Sequence, residues 1–327
     1  MDIRELTYIT AIADAGSLSA AGKRLKVSQP TLSVFLSKLE SSLGVDLFFR
    51  EKKRLVPTPA GNIYLGAARK IISVHDQTYQ AIHHLTHELT ESISVGATPL
   101  RGSIMIAQIF PTFSRRFPDV KLSIVESYMK ELWDNLRNQR VSFSLAAYYD
   151  SGNSEFNFIN ISREELVLAV PRFHRLAHLA GDPHDKLTAA DIRDFSDTPF
   201  VLLAPATTVR TVSDNIFARA GMQPTVVFET NNLLVLSSMV RQGAGAGLLP
   251  RSSMVPDADD IVYFSLHPRY YLNLGIVIPK GKVLSEPERY LAYLVIKKDM
   301  ANPLYQPALN SLARRILEEF DEKGDPI

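Results

Sequence analysis

The stretch Ser17–Glu40, SLSAAGKRLKVSQPTLSVFLSKLE, contains two short helical patterns that are separated by a break at residues 26–28. Ser17 and Ser28 are good N-caps for the two helices. Pro30 falls in the first turn of the second helix, where a missing backbone N–H costs nothing. Small residues in the first pattern allow a second helix to approach closely. This arrangement predicts a helix-turn-helix.

The second helix of this pair has an apolar face and a free face. Stepping 100° per residue from Leu32 groups the apolar side chains in one arc. The opposite face fits the major groove of DNA, where short polar side chains and Arg or Lys read base edges. An ordinary helical hairpin is the alternative on this pattern alone. The candidate DNA contacts on this helix are Ser28, Gln29, Pro30, Thr31, Ser33 and Lys38.

Two short strands around a basic tip follow the helix pair. Residues 45–50 and 55–57 have strand-like composition, and the sequence Glu-Lys-Lys-Arg lies between them. A tip rich in cations suits a phosphate backbone, so this hairpin is predicted to be a wing beside the helix pair. The candidate DNA contacts of the wing are Arg50, Lys52, Lys53 and Arg54.

With the wing included, the pattern resembles a known family. The run AAGKRLKVSQPTLSVFLSKLESSLGVDLFFRE, residues 20–51, is followed by a second wing strand and by Thr-Pro-Ala-Gly at 58–61. Together they resemble the LysR-type transcriptional regulators, and the match continues along nearly the whole chain. The sequence departs from the family's usual recognition helix at Val34, Phe35 and Ser37, where longer Arg or Gln side chains are common.

The amino-acid composition limits the possible folds and functions of the chain. A chain of 327 residues, 46% of them hydrophobic, is expected to fold as several domains. The formal net charge is only +1, yet residues 1–60 hold nine Lys or Arg against six Asp or Glu. The lack of cysteine excludes a disulfide framework, thiol catalysis and Cys-ligated zinc. We expect a soluble, cytoplasmic protein, because neither an export signal nor a membrane-spanning apolar run is recognisable.

Residues from Thr58 to about Leu89 form one long helical pattern whose apolar side chains recur at steps of three and four. That spacing is a heptad seam. A solitary helix of about 30 residues, about 45 Å long, would expose the seam, so we expect it to pair with a second chain. Packing on the chain's own C-terminal domain is the alternative. The candidate dimerisation residues are Tyr64, Ala67, Ile71, Val74, Ala81 and Leu85.

A homodimer also suits DNA binding, because its two helix-turn-helix domains can bind the two half-sites of a pseudo-palindromic DNA sequence. The family resemblance implies further assembly to a homotetramer and allows contact with RNA polymerase.

From Glu91 onward, strand patterns alternate with helical patterns, which predicts an α/β domain with a largely parallel sheet. The predicted strands are 92–97, 120–126, 143–148, 165–170, 200–203, 225–229, 247–250 and 271–279. The predicted helical stretches are 100–117, 131–138, 189–195, 208–220, 232–242 and 286–297.

The resemblance implies a division of the chain and a fold class. We expect a mainly α winged helix-turn-helix (1–57), a long linker helix (58–90), a two-lobed α/β effector-binding domain similar to periplasmic solute-binding proteins (91–300), and a C-terminal extension (301–327). Lobe I would cover about 91–161 and 271–300, and lobe II about 162–270. The extension is predicted to be a helix followed by a solvated acidic tail.

Other motifs carry less weight. His83 and His87 have an i, i+4 spacing that could bind a metal, but the accompanying ligands and the glutamate of a metalloprotease motif are missing. His174 and His178 share this spacing and are predicted to be surface or hinge histidines. The run at 243–247, Gly-Ala-Gly-Ala-Gly, has its third glycine too early for a dinucleotide fingerprint and reads as a helix-to-strand turn. No nucleophile elbow or acid pair is visible. We therefore predict no metal, no cofactor and no enzymatic activity.

A ligand cleft is the more promising feature. In two-lobed α/β domains, small molecules bind at the carboxyl ends of strands, where helix N-termini offer N–H groups to anions. A helix cap is the alternative for any single hydroxyl or amide, above all at Thr98, Thr208 and Asn232. The candidate effector-binding residues, in loops that line the family's cavity by resemblance, are Thr98, Pro99, Ser127, Tyr128, Leu203, Ala204, Pro205, Thr207 and Asn231.

These features predict a sequence-specific, DNA-binding transcriptional regulator whose α/β domain binds a small molecule, an anionic metabolite by preference. Ligand binding between the lobes would change the relative geometry of subunits. A solute-binding or enzymatic α/β protein with a helical N-terminal extension is the main alternative, and an architectural nucleoid protein without a ligand is another. The basic wing and the missing catalytic set argue against the first alternative, and the long two-lobed domain argues against the second.

Overall fold

The computed structural model describes residues 2–51, 54–86, 91–149, 152, 155–205, 207–321 and 324–325. The chain divides into two compact units, Met1–Leu89 and Thr90–Ile327. The predicted domain bounds within and between these units stay predictions.

The first unit consists of three helices, a β-hairpin and a long helix. They are α1 (Ile3–Ala15), α2 (Leu18–Leu25), α3 (Gln29–Leu43), β1 (Phe48–Glu51), β2 (Arg54–Pro57) and α4 (Pro59–Thr86).

The helix boundaries of this unit follow the predicted caps. Ser17 Oγ accepts a hydrogen bond from the Ala20 N–H at 3.2 Å, and Ser28 Oγ accepts one from the Thr31 N–H at 3.3 Å. Lys26 adopts a left-handed conformation (φ 57°) in the turn between α2 and α3. That turn is tight, since a Cβ at Gly22 would lie 2.7 Å from the carbonyl oxygen of residue 27. The predicted helix-turn-helix is confirmed.

The core of the first unit includes the start of the long helix. Its buried side chains are Leu6, Ile9, Ile12, Ala21, Leu32, Leu36, Leu47, Phe48, Leu65 and Ala68. The last two belong to α4. The hairpin is attached to α3 through Glu40, whose carboxylate accepts hydrogen bonds from the Leu47 N–H at 2.7 Å and the Phe48 N–H at 3.2 Å. Because these backbone groups bind a side chain, the first wing strand begins at Phe48 rather than at Val45 as predicted.

The second unit contains the following elements: β3 (Ser92–Ala97), α5 (Arg101–Arg116), β4 (Lys121–Glu126), α6 (Met129–Arg137), β5 (Phe143–Tyr148), β6 (Phe156–Pro171), β7 (Ala189–Ala190), β8 (Pro199–Leu203), α7 (Thr208–Arg219), β9 (Thr225–Thr230), α8 (Leu233–Arg241), β10 (Gly247–Pro250), β11 (Ile261–Pro279), α9 (Glu286–Met300), β12 (Tyr305–Pro307) and α10 (Ser311–Glu318). Most of the predicted strands and helices are confirmed to within three residues at each end.

The main sheet of this unit is mixed, so the prediction of a largely parallel sheet is wrong. Its strands follow the order β10-β6-β11-β5-β3-β4. β6 pairs antiparallel with both β10 and β11, and β11 pairs antiparallel with β5, whereas β3 lies parallel to β4 and β5. Strands β8 and β9 form a separate parallel pair. Local periodicity identifies a strand but not the direction of its partner, because partners are distant in sequence.

Strands β6 and β11 are much longer than predicted because each continues through two of the hydrophobic clusters of the unit. One cluster is centred on β3, β5, α5 and α9, and the other on β6, β8, α7 and β10. The polar side chains at 162–165 interrupt the apolar run of β6 and conceal its continuity in the sequence. Glu164 and Glu165 are nonetheless buried there, at 1% and 4% exposure.

Residues 189–195, predicted as helical, form the two-residue strand β7 and a 3-10 turn at Ile192–Phe195. Asp191 accepts a hydrogen bond from the Arg193 N–H at 2.9 Å and so caps a turn that is too short to propagate a helix. The 243–247 run is confirmed as a helix-to-strand turn, with Gly243 at φ 84°.

The C-terminal extension packs on the second unit, and the predicted solvated tail is wrong. β12 pairs antiparallel with residues 162–164 of β6. Beyond α10, the Phe320 ring lies 4.9 Å from the Tyr293 ring and is only 5% exposed. Arg116 Nη1 donates to the Gly324 carbonyl at 2.6 Å. An apolar side chain among the acidic residues is therefore enough to anchor this end of the chain.

Candidate functional site

The N-terminal turn of α3 presents most of the predicted DNA contacts to solvent. Gln29, Pro30, Thr31 and Lys38 are exposed, while Ser33 is half-buried. Ser28 is exposed too, but its hydroxyl lies 2.7 Å from the Thr31 hydroxyl as part of the helix cap. Gln29 is therefore the long polar side chain at this end of the helix that is not committed to capping.

Sequence reasoning did not include the exposed Val34 of this face among the candidate contacts. Val34 is 55% exposed on α3, although it is aliphatic. An apolar side chain in the major groove can contact the methyl group of thymine. Its position opposite the apolar arc was visible in the sequence, but valine carries no polar signal.

The wing is only partly described. Arg50 and Glu51 pair with Leu55 and Arg54 across the β1-β2 hairpin, and Arg54 is exposed. Lys52 and Lys53 lie outside the described residues. The hairpin is held by a hydrogen bond from the Leu55 N–H to the Gly16 carbonyl at 2.8 Å.

Additional cations lie close to the recognition helix in sequence. Lys23 and Lys26 are exposed at the end of α2 and in the turn before α3, and neither was among the predicted contacts. Arg24, beside them, lies 3.6 Å from Asp14. Sequence reasoning passed over the two lysines because it assigned α2 to packing alone.

The long helix α4 exposes only part of the predicted seam. Tyr64 and Ile71 are partly buried against the core of the first unit, whereas Ala67 and Val74 are exposed. Ile63, which was not predicted, is 78% exposed. The side chains of Ala81 and Leu85 lie outside the described part of the chain. Packing on the core of the first unit therefore removes Tyr64 and Ile71 from the free stripe, which consists of Ile63, Ala67, Val74 and the exposed Thr78.

In lobe I, two of the predicted effector loops lie at the ends of neighbouring parallel strands. The Ser127 N–H donates to the Ala97 carbonyl at 3.0 Å, so the loop after β4 is bound to the end of β3. The Thr98 N–H donates to the Leu145 carbonyl of β5 at 3.4 Å. Ser127 Oγ accepts a hydrogen bond from Asn135 Nδ2 at 3.4 Å, a partner that the sequence did not suggest.

The helices that follow these two loops have N-termini without a side-chain cap. Leu100, not Thr98, is the N-cap of α5, and Tyr128 is the N-cap of α6. Neither forms a side-chain cap hydrogen bond. Leu100 also has a positive φ of 75°, which a residue with a Cβ rarely adopts. Pro99 lies between Thr98 and this residue, half-buried. The capping alternative for Thr98 is therefore wrong.

In lobe II, Thr207 and Asn232 cap helices. Thr207, only 7% exposed, accepts from the Arg210 N–H at 3.2 Å and donates to the Ala204 carbonyl at 3.0 Å. Asn232 caps α8 through the Leu234 N–H at 2.9 Å. Leu203 is buried in an apolar cluster. Thr207 and Leu203 are therefore less suited to ligand contact than predicted, whereas Pro205 and Asn231 are exposed.

Two hydrogen bonds join residues of one lobe to residues of the other. Tyr128 Oη donates to the Asn231 carbonyl at 2.8 Å, and Thr208 Oγ1 donates to the Ala147 carbonyl at 2.8 Å. Thr208 is thus neither the cap of α7 nor a free hydroxyl. Tyr128 and Asn231, both among the predicted effector-binding residues, are thus in direct contact, and their role in ligand binding stays a prediction.

A buried ionic cluster lies immediately behind the loop after β3. Arg101, the first residue of α5, donates through Nη2 to both carboxylate oxygens of Asp299 in α9, at 2.8 and 2.7 Å. Its guanidinium also lies 5.5 Å from the ring centre of Tyr305. Burial raises the pKa of Asp299, and the charge of Arg101 opposes that effect. Burial likewise raises the pKa of Glu164, and a hydrogen bond from the Ser252 N–H at 2.7 Å opposes that effect.

The histidines do not assemble a metal site within the described residues, where no group of three potential ligands occurs. His174 Nε2 lies 2.9 Å from the Thr198 hydroxyl, and the ring stacks on Phe195. Burial, with the nearby Arg175, lowers the pKa of His174. The side chain of His83 and all of His87 lie outside the described structure.

Comparison with known proteins decides between the alternatives. A family model for bacterial regulatory helix-turn-helix proteins of the lysR family matches residues 3–62, and a model for the LysR substrate binding domain matches residues 86–295. The chain belongs to the LysR family. Members of this family are transcriptional regulators with a DNA-binding helix-turn-helix and an effector-binding domain. The alternatives of an enzyme or solute-binding protein and of a ligand-free nucleoid protein are therefore wrong.

Individual relatives agree with the family assignment. The chain is 27% identical over 259 residues to a probable RuBisCO transcriptional regulator of Nostoc sp. (strain PCC 7120), which covers 77% of this chain and 74% of that protein. Its fold is similar to that of CbnR, a LysR family regulator solved with its target DNA (TM-score 0.54, 21% identity, 91% of this chain and 99% of that one). It is also similar to the effector binding domain of QuiR in complex with shikimate (TM-score 0.54, 17% identity, 63% and 96%).

No helix in the described residues of this LysR regulator is both long enough and apolar enough to cross a lipid bilayer.

Proposed function

We propose that this LysR-family regulator reads promoter DNA through α3 and the wing and responds to a small anionic metabolite. The effector binds between the lobes, at the loops that follow β3, β4, β8 and β9. The regulator acts in the cytoplasm as a homodimer that assembles into a homotetramer, and RNA polymerase is a further partner at its promoters.

The exposed first turn of α3 supports the DNA-reading part of this proposal. Gln29 extends from the turn without a role in the cap, and an amide side chain can bind adenine through two hydrogen bonds. Val34 adds an apolar contact on the same face. Lys38 and Arg54 supply cations for the phosphate backbone, together with Arg50, Lys52 and Lys53.

The observation that carries the effector proposal is the pair of uncapped helix N-termini in lobe I. Helices α5 and α6 begin just beyond the carboxyl ends of the adjacent parallel strands β3 and β4. No side chain accepts from their first N–H groups, which carry partial positive charge, although in α5 the Arg101 and Gly102 N–H groups donate to the Pro99 and Thr98 carbonyls at 3.1 and 3.3 Å. An anion such as a carboxylate accepts hydrogen bonds from helix N–H groups and balances the partial positive charge of the N-termini. Thr98 and Ser127 bring hydroxyls beside it.

The hydrogen bonds between the lobes suggest how the effector acts. The hydrogen bonds from Tyr128 to Asn231 and from Thr208 to Ala147 hold the two lobes at one spacing. A ligand that binds one spacing more tightly shifts the population of that spacing, and hence the geometry of the assembled DNA-binding heads.

Retention of DNA by the full-length protein tests the regulatory function. The purified protein is mixed with fragmented genomic DNA of its source organism, with and without fractionated metabolite pools, and the retained fragments are sequenced. We expect a common pseudo-palindromic motif upstream of genes, and at least one fraction that changes its occupancy. Recovery of fragments without any shared motif would contradict sequence-specific regulation.

Once a fraction has yielded the effector, Thr98→Val and Ser127→Ala test the cleft. Both variants should bind it roughly tenfold or more weakly in calorimetric titrations, because each removes a hydrogen bond to a charged group. Ser114→Ala, a hydroxyl in the last turns of α5, serves as the matched control. Unchanged affinity in both cleft variants would show that the effector binds elsewhere.

A further inference from the structure

A small pocket of about 160 Å³ lies in the second unit. Four secondary-structure elements surround it: β6, the 3-10 turn after β10, β11, and the C-terminal extension. Its polar lining comes from Glu165, Arg251, Arg269, Tyr271, Tyr305 and Gln306. None of them is among the residues of the effector cleft.

The pocket has an excess of positive charge. Glu165 is its one carboxylate, with a side chain only 5% exposed. Arg251 Nη1 lies 3.2 Å from Glu165 Oε2, and Arg269 Nε lies 3.7 Å from Glu165 Oε1. Ser265 Oγ donates a further hydrogen bond to Glu165. A single carboxylate thus faces two guanidinium groups. Arg251 Nη2 also donates to the Asp185 carbonyl at 3.4 Å and Arg269 to the Tyr271 hydroxyl, but a guanidinium carries five N–H groups, so both side chains keep donors for a ligand.

The rest of the wall is aromatic and polar. Tyr271 Oη accepts a hydrogen bond from Gln306 Nε2 at 3.2 Å and keeps its own proton to donate. Tyr305 and the turn at 303–304 close the side formed by the extension. Because β12 is hydrogen-bonded to β6, this wall is held in place by the sheet.

We propose that this pocket binds a small monocarboxylate as a second ligand of the regulator. Arg269 and Arg251 bind the carboxylate, the Tyr271 hydroxyl donates to it, and the body of the ligand packs against Tyr305 and residue 304. Planar guanidinium groups match the two oxygens of a carboxylate. The volume is below the roughly 300–1,000 Å³ usual for ligand pockets, which limits the ligand to a few heavy atoms. This inference goes beyond the effector cleft and does not depend on it.

Tyr305 connects this pocket to the cleft. One side of the residue lines the pocket, and its ring also contacts the guanidinium of Arg101. Arg101 follows directly on the loop at Thr98–Leu100. A ligand that fixes Tyr305 therefore also favours one position of Arg101 and of the N-terminus of α5.

Thermal melting and calorimetric titration of the full-length protein test the binding of a monocarboxylate to this pocket. The probes are straight-chain monocarboxylates from acetate to hexanoate and inorganic phosphate, each compared with sodium chloride at equal ionic strength. We expect saturable stabilisation by a monocarboxylate, because a ligand that binds only the folded state raises its stability. Stabilisation no greater than that by sodium chloride, or a preference for phosphate over every carboxylate, would overturn the assignment.

Two substitutions locate the site. Arg269→Gln removes a guanidinium that is 43% exposed, so the fold should persist, and Gln306→Glu places a carboxylate beside the ligand. Both should weaken binding roughly ten- to hundredfold, since each removes or opposes a charge-assisted hydrogen bond. Arg219→Gln, at an exposed arginine of α7, is the charge-matched control and should bind as the wild type does. Thr98→Val and Ser127→Ala should also retain the affinity. Wild-type affinity in both pocket variants, or a loss confined to the cleft variants, would overturn the proposal.

Discussion

Gln29 is the residue on which sequence recognition depends most directly. Its neighbours Ser28 and Thr31 share their hydroxyls within the cap of α3, while Gln29 is exposed and outside the cap. The same short polar run thus contains residues with two different roles. Only the hydrogen bonds in the structure show which of these residues cap the helix and which one is free to contact DNA.

Gln29→Ala should weaken binding to the operator by about 1–3 kcal/mol and leave binding to random DNA almost unchanged, because a lost base contact affects only the correct sequence. Fluorescence anisotropy with both DNAs at fixed salt measures this difference. Lys38→Ala is the control, and it should weaken both complexes alike by removing a phosphate contact. Equal weakening by Gln29→Ala on the two DNAs would rule out base reading.

Glu164 gives a pH-dependent prediction at the same scale. Burial raises its pKa, against the hydrogen bonds from Ser252 and the charge of Arg101. The folded state therefore favours the protonated acid more than the unfolded chain does. The stability that this group contributes is fully present below its unfolded pKa and is lost as the pH rises through the raised folded value.

Glu164→Gln should therefore gain stability relative to the wild type between acidic and neutral pH, because glutamine has no proton to lose. Urea unfolding of both proteins from pH 4 to pH 8 gives the difference in midpoint. The exposed Glu131→Gln controls for loss of a carboxylate. A difference in midpoint that stays constant over this range would mean that Glu164 titrates alike in both states.

At the scale of secondary-structure elements, α4 shows that packing decides which apolar residues of a helical pattern stay exposed. Tyr64 and Ile71 satisfy the predicted heptad, yet they pack on the core of their own unit. The exposed residues Ile63, Ala67 and Val74 follow steps of four and seven, which is still a coiled-coil spacing. Pairing with a second copy of the chain is the simplest way to bury an exposed apolar stripe of this length.

Ile63→Asp combined with Val74→Asp should convert the dimer to a monomer, because two carboxylates would be buried in the seam. Sedimentation velocity at micromolar concentration measures the assembly. Ile71 is left intact, since its loss could unfold the head itself. Val283→Asp, at a position 87% exposed in the second unit, is the control and should not change the assembly. An unchanged sedimentation coefficient for the double variant would show that this stripe is not the interface.

At the scale of the whole molecule, the chain's last residues belong to the effector unit. β12 extends the edge of the sheet beside β10, and α10 and Phe320 cover α9. Arg101 and Tyr305 then join α5 to this extension. The segment that the sequence suggests as an appendage is therefore part of the hydrophobic core.

Phe320→Ala should destabilise the effector unit by about 3–5 kcal/mol, as is usual when a buried phenylalanine is truncated. Urea unfolding followed by tyrosine fluorescence reports the loss, because Phe320 packs against Tyr290 and Tyr293. Leu312→Ala, at a residue 37% exposed on α10, should cost much less. A loss below about 0.5 kcal/mol for Phe320→Ala would restore the interpretation of a solvated tail.

The sequence by itself determined the helix-turn-helix, the family resemblance, the regulator function and most helix and strand bounds. Those features depend on caps, turns and periodicities within some ten residues, such as Ser17, Ser28 and Gly16. Each signal is local, so distant residues do not alter it.

Only the tertiary structure decided the sheet directions, the continuity of β6 and β11, the exposed stripe of α4 and the packing of Phe320. It also decided which hydroxyls cap helices, as at Thr207, and which remain beside an uncapped N-terminus, as at Thr98. The second pocket is the clearest case, because Glu165, Arg269 and Gln306 meet only when β12 pairs with β6. The physical reason is that pairing and burial depend on partners roughly a hundred residues apart, about which a local pattern carries no information.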